Sequence, residues 1–192
     1  MSPILGIYAS QISGHLFAPS GAYDSIATHT VGSGGQASIE FTSIPSTYKH
    51  LQIRLLARST DAAGTVNVTT QLNSDTGSNY AWHRIFGNGT SAGAGGASTQ
   101  SNIIIGQISG STAASGVFGV ATIDLLDYKE TTKYKTLRSL FGFDDNNGGA
   151  GAVVQLFSGL WQSTSATTTI TLSAGGGFAQ YSSFALYGIK GN

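Results

Sequence analysis

The feature that most constrains this chain is a two-residue alternation of apolar and polar side chains, which restarts after each cluster of turn residues and never settles into a helical period. In "HLQIRLLARS", Leu51, Ile53 and Leu55 point one way, while Gln52, Arg54 and Arg58 mostly point the other. In "TVNVTTQLN", Val66, Val68, Thr70 and Leu72 share a face, and "NYAWHRIFG" sets Tyr80, Trp82, Arg84 and Phe86 against Ala81, His83 and Ile85. "VFGVATIDLLDY" and "KYKTLRSLFGFD" read as two further strands joined through "KETT" at hairpin spacing. "AVVQLFSGLW", "TTTITLS" and "AQYSSFALYGIK" follow, separated by the breakers "DDNNGGAG", "QSTSA" and "AGGG".

The strand signals number roughly nine to eleven, at the spacing of a sandwich or jelly roll. The expected fold class is therefore all-β: an antiparallel β-sandwich, jelly-roll-like, over residues 23–192, preceded by an extended N-terminal arm over residues 1–22. Two low-complexity stretches, "GNGTSAGAGGASTQSN" and "SGSTAASG", read as exposed loops and candidate contact surfaces, because residues this small bury little area.

Charge narrows the partners. Only 9% of the 192 residues are charged, nine basic against nine acidic, so the surface is built mainly from uncharged polar residues and glycine. The densest basic run, Lys129, Lys133, Lys135 and Arg138, is broken by Glu130, which argues against a nucleic-acid groove. There is no cysteine, so disulfides and thiolate metal sites are excluded and stability rests on packing and strand pairing. No Lys or Arg precedes Lys49, so the opening stretch does not read as a secretion signal, and no apolar run is long enough to insert in a membrane.

No constellation of catalytic residues stands out. "SDTGS", residues 74–78, holds an Asp-Thr-Gly triplet, but aspartic proteases need two facing carboxylates and this chain has one copy. Asp75 therefore reads as a turn residue. Asp124, Asp127 and Glu130 lie close in sequence, yet Asp124 and Asp127 have opposite strand parity and do not converge as a glycosidase pair would. His15, His29, His50 and His83 have no metal-ligand spacing, and nothing in the sequence calls for a cofactor. "DDNNG" reads as a hairpin turn, with weak cation binding by Asp144 and Asp145 as the remaining alternative. Tyr80, Trp82 and Trp161 are the candidate aromatics for stacking on a sugar; the competing reading places them in the core or an oligomer interface.

"FAQYSSFALYGIKG" at the C-terminal end resembles the closing strand of a family of tailed-bacteriophage virion proteins, many of them from aquatic phages. The resemblance extends to "ILGIYASQISGHLFAPSGAYDSIAT", "FTSIPSTYKHLQIR", "NSDTGSNYAWHR", "IDLLDYKETTKYKT" and "SGLWQST". It implies a non-enzymatic jelly-roll protein of the virion, assembled in the host cytoplasm and displayed as a capsid decoration or cement protein, or as a tail- or fibre-associated one. It further implies a homo-oligomer, taken as a trimer, with major capsid or tail proteins as partners. The alternative is a host-receptor or glycan-binding adhesin module of the tail. Ile4, Leu5, Ile7, Tyr8 and Ile12, interrupted by Gly6 and followed by Gly14, make a poor solitary strand. They read as a docking arm for a neighbouring subunit or another virion protein, the alternative being an arm folded back over its own sandwich.

Overall fold

A computed structural model describes residues 21–146 and 152–191, which form an antiparallel β-sandwich. Its twelve strands are β1 (Tyr23–Thr30), β2 (Gln36–Phe41), β3 (His50–Ala57), β4 (Thr65–Leu72), β5 (Tyr80–Gly87), β6 (Ala92–Gln100), β7 (Ile103–Ser109), β8 (Gly119–Leu125), β9 (Lys135–Phe143), β10 (Val153–Trp161), β11 (Ile170–Phe178) and β12 (Ser183–Ile189). One sheet has eight strands in the order β1-β12-β3-β8-β9-β10-β5-β6, and the other has four in the order β2-β11-β4-β7.

The pairing is nested. β1 pairs with β12, β2 with β11, β3 with β8 and β4 with β7. The hairpins β5–β6 and β9–β10 are inserted into this plan, and both add to the large sheet beyond β8. The large sheet thus overhangs the small one, whose last strand, β7, runs beneath β8, β9, β10 and β5.

Alternation buries what the sequence assigns inward. Leu51, Ile53 and Leu55 of β3 face Val66, Val68 and Leu72 of β4 across one continuous core that also holds Phe41, Tyr80, Phe141, Phe178 and Phe184. Each such side chain contributes about 1.5–3 kcal/mol by leaving water. With no disulfide present, this core and the ladders hold the molecule. The "SGSTAASG" loop is tied down by the Arg58 guanidinium, which donates to the carbonyls of Ser111, Ala113, Ala114 and Val117 at 2.7–3.1 Å.

Two segments depart from the sequence reading. "AGGG" is not a break between strands: β11 runs through it as a bulge, with Gly176 and Gly177 at φ 67° and 88°, between Ser173 and Phe178 in the β2 register. An added Cβ on Gly177 would fall 2.8 Å from the Gln36 carbonyl oxygen, so the close approach needs glycine. "GNGTSAGAGGASTQSN" is not an open loop: its centre is β6, the outermost strand of the large sheet. Its small residues are what allow pairing, because the side chains of β5 lie across them. A Cβ on Gly93 would meet the Phe86 ring at 2.6 Å, and one on Gly96 would meet His83 at 2.5 Å on the opposite face. With β6 included, the described strands number twelve, just above the expected count. The expected arm residues Ile4, Leu5, Ile7, Tyr8 and Ile12 lie outside the described residues.

Candidate functional site

Strands β9 and β10 depart from the apolar-in, polar-out rule at several positions. Lys135, Ser139 and Gln155 point inward and are buried, while Leu140, Val154 and Leu156 point out. The inward polar groups answer needs of the strand beneath. A bulge between β4 and β7 leaves Ile105 outside the ladder, and the Ser139 hydroxyl donates to its carbonyl. Gln155 donates its amide to Gln107 of β7, and Gln107 donates to Asn67 at 2.9 Å. The Lys135 ammonium donates to the carbonyls of Glu130 (2.6 Å), Lys133 (3.1 Å) and Thr164 (3.3 Å), so this member of the basic run is an internal strut; burial lowers its pKa.

The outward apolar residues form a face on the half of the large sheet that holds β8, β9, β10 and β5. One cross-strand row runs Ala94, Ile85, Leu156, Leu140 and Thr122. The next runs Ala92, Gly87, Val154, Gly142, Val120 and Leu56. Ile85 is 59% exposed, Leu140 55%, Val154 63% and Val120 53%, so they stand clear of the fold in a contiguous group rather than singly. Hollows lie between these side chains, one of about 300 Å³ among Val120, Leu140, Gly142 and Val154, and one of about 430 Å³ among Ile85, Leu156 and Arg138. No charged residue occurs between Arg84 and Asp124 in sequence, so the face runs into β6 without a charge, and among the described residues no strand pairs with the outer edge of β6.

A polar border limits this face on the side toward β1. The Arg138 guanidinium donates to Asp124 at 3.1 Å, Gln52 donates to Asp124 at 2.8 Å, and Arg54 donates to Gln52 at 2.9 Å. Arg54 also stands over the rings of Tyr23 and Tyr187, 5.7 and 5.5 Å from their centroids. Below it, Asp127 accepts from Lys133 and pairs with Lys49 at 3.1 Å, while its backbone N–H donates to His50 Nδ1 at 3.0 Å. The carboxylates Asp124 and Asp127 therefore serve separate ion pairs and do not share a site.

Asp127 has a measurable consequence. The Lys133 ammonium, then that of Lys49, holds its carboxyl down at about 2. A depressed carboxylate contributes stability that is whole above its unfolded value of 3.8 and fades as pH falls toward 2. Asp127→Asn, which suits the positive φ of 49° at this position, is expected to flatten that part of the melting-temperature profile. At neutral pH it costs at most about 1 kcal/mol, as for exposed pairs. A variant profile that still falls as steeply between those pH values would contradict this account.

The sequence-selected aromatics are structural. Tyr80 and Trp161 are register partners on β5 and β10, 0% and 2% exposed, with rings 6.3 Å apart and nearly parallel. Neither has a face free for a sugar. Trp82 packs half-buried against the core beside Phe157. Burial pushes the Tyr80 phenol up to about 12; it accepts from the Leu72 N–H at 3.1 Å and points its proton at the carbonyls of Leu72 and Asp75. Asp75 is a turn residue, as its sequence context indicates: it accepts from Trp161 Nε1 at 2.7 Å, Gly77 N–H at 2.8 Å and the Asn79 amide at 2.9 Å. Asp144 accepts the Asn146 N–H at 2.8 Å, a turn bond in the connection between the paired strands β9 and β10. Among the described residues no three His, Asp or Glu side chains are grouped to hold a metal, and no helix is long and apolar enough to cross a membrane.

Sequence reasoning missed the apolar outer face. Its signal was present: "VVQLF" places Val154 and Leu156 opposite in parity to Val153, Gln155 and Phe157, so both faces of that strand carry apolar residues.

No protein-family model matches the chain, and no curated protein sequence does. Among solved structures, an exo-inulinase from Aspergillus awamori is similar at 13% identity and a TM-score of 0.26, covering 87% of this chain and 28% of that one. A putative pore-forming toxin from Bacteroides vulgatus is similar at 7% identity and a TM-score of 0.10, covering 79% of this chain and 54% of that one. The chain thus spans from about a quarter to about half of the length of these proteins, at similarities too low to carry an argument about fold or activity.

Proposed function

We propose that this protein is a non-enzymatic structural component of a tailed-phage virion, displayed on the particle as an oligomeric capsid decoration or cement protein, or as a tail- or fibre-associated protein. The observation that carries this reading is the uncharged apolar face on β5, β8, β9 and β10, which ends at β6, whose outer edge pairs with no strand among the described residues. Such a face suits docking to a protein surface, since solvent exposure of contiguous apolar area is unfavourable and an open strand edge invites pairing. The nested strand pairing supports a jelly-roll winding with two added hairpins, and the sequence resemblance points to the same class of virion protein. The glycan-binding alternative is weakened by the burial of Tyr80 and Trp161 and by the pairing of most of residues 91–101 into β6.

Single-particle imaging of the virion tests the proposal. Copies on the capsid lattice identify a decoration protein, and copies at a single vertex identify a tail component. Purified particles that lack the chain would overturn the reading.

A further inference from the structure

The apolar face has a candidate occupant within the same sequence. Residues 1–23 contain no Lys, Arg, Asp or Glu, and Ile4, Leu5, Ile7, Tyr8 and Ile12 concentrate their apolar side chains in one stretch. The face likewise carries no charge in its two central rows, so neither surface strips a charge from water by meeting the other. We infer that residues 4–12 of one copy lie on the outer face of the large sheet of a second copy, across Ile85, Leu140, Val154 and Leu156, so that the protein assembles by exchange of N-terminal segments.

The polar border between the start of β1 and the apolar rows argues for exchange rather than self-cover. Tyr23 opens β1, at the far edge of the large sheet, five strand positions from β10 and so about 24 Å away across the ladder. The 11 residues from Ile12 to Tyr23 reach about 36 Å, so length alone permits either route and the surface crossed decides between them. Within one molecule the same path runs over the border of Arg54, Gln52, Asp124 and Arg138. Covering that network with an uncharged segment would take Asp124 and the largely exposed Arg138 out of water with no new partner, which is unfavourable. A segment arriving from a second copy by way of the β6 edge meets only Ala92, Ala94 and the apolar rows.

The absence of native cysteine makes the test direct. The full chain would be prepared as Ile7→Cys and, separately, as Leu156→Cys, mixed and oxidised. The expected result is a mixed disulfide dimer well above that formed when Ile7→Cys is mixed with Thr28→Cys, which lies on the outer face beside the starting edge. In light scattering, the unmodified chain is expected to be oligomeric, and both deletion of residues 2–16 and the exposed-site variant Leu156→Asp are expected to be monomeric with an unchanged β-sheet circular dichroism spectrum. A link that forms only within one chain carrying both cysteines would overturn the inference in favour of self-cover, and no link with a monomeric full chain would overturn it altogether. None of these results depends on where the protein sits on a particle, so this inference and the virion assignment fail separately.

Discussion

Replacing Gly106 by valine is expected to abolish the native fold. In "IIIGQIS" this glycine is the one gap in an apolar strand, and the Phe141 ring from the opposing sheet fills it: a Cβ there would stand 2.0 Å from Phe141 Cγ and 2.2 and 2.4 Å from the two Cδ atoms. Phe141 is 1% exposed and held in register between Ala121 and Gln155, so the ring has no free direction in which to move. Overpacked cores usually lose roughly 1–3 kcal/mol, and an overlap with ring carbons at this depth should exceed that range. Urea unfolding followed by circular dichroism checks it. The milder Gly106→Ala permits a cycle: Phe141→Ala alone should cost about 3–5 kcal/mol, and the double variant should be clearly more stable than the sum of the two losses, because the new methyl enters the vacated space. A Gly106→Ala protein as stable as the parent would refute the notch.

Asp75→Ala is expected to destabilise the protein by about 2–4 kcal/mol, although the site is a turn. Its carboxylate accepts from the Trp161 indole, Gly77 and Asn79, and Trp161 is 2% exposed. Removing it leaves a buried indole N–H without a partner, and that loss makes the cost large. Trp161 fluorescence gives the readout, with Trp82→Phe as the background because these are the only two tryptophans. The Trp161 hydrogen bond, then those of Asn79 and Gly77, hold the Asp75 carboxyl below its ordinary value of 3.8 against the opposing effect of burial. Its contribution is therefore complete above that value and declines as pH falls through the lower folded pKa. Asp75→Ala should remove this acid-dependent change in Trp161 emission; emission that tracks pH as in the parent would show that the carboxylate does not hold the ring.

The alternation in β3, β4 and β5 was legible because each strand buries one face against the opposing sheet, so side-chain parity in the sequence equals side-chain placement in space. The same logic failed at β6, since glycine and alanine carry no parity signal of their own; the strand exists because Phe86, Arg84 and His83 of β5 reach over it. It failed again at Tyr80 and Trp161, where residue type is compatible with either a sugar platform or a core. Pairing across β5 and β10, residues 80 and 161, decides for the core.

What the sequence determined by itself is the class of structure: short alternating segments with no cysteine, few charges and glycine-rich punctuation can only build a core by closing sheet on sheet. Only the tertiary structure decided which face each late strand shows to solvent. β9 and β10 lie over β7 of the small sheet, so only their inner faces are covered, and there the Ile105 carbonyl, left out of the ladder, and the amide of Gln107 draw Ser139 and Gln155 inward. Leu140, Val154 and Leu156 are left outside by that arrangement: "VVQLF" shows that both faces of the strand carry apolar residues, but which face is buried depends on contacts between residues tens of positions apart.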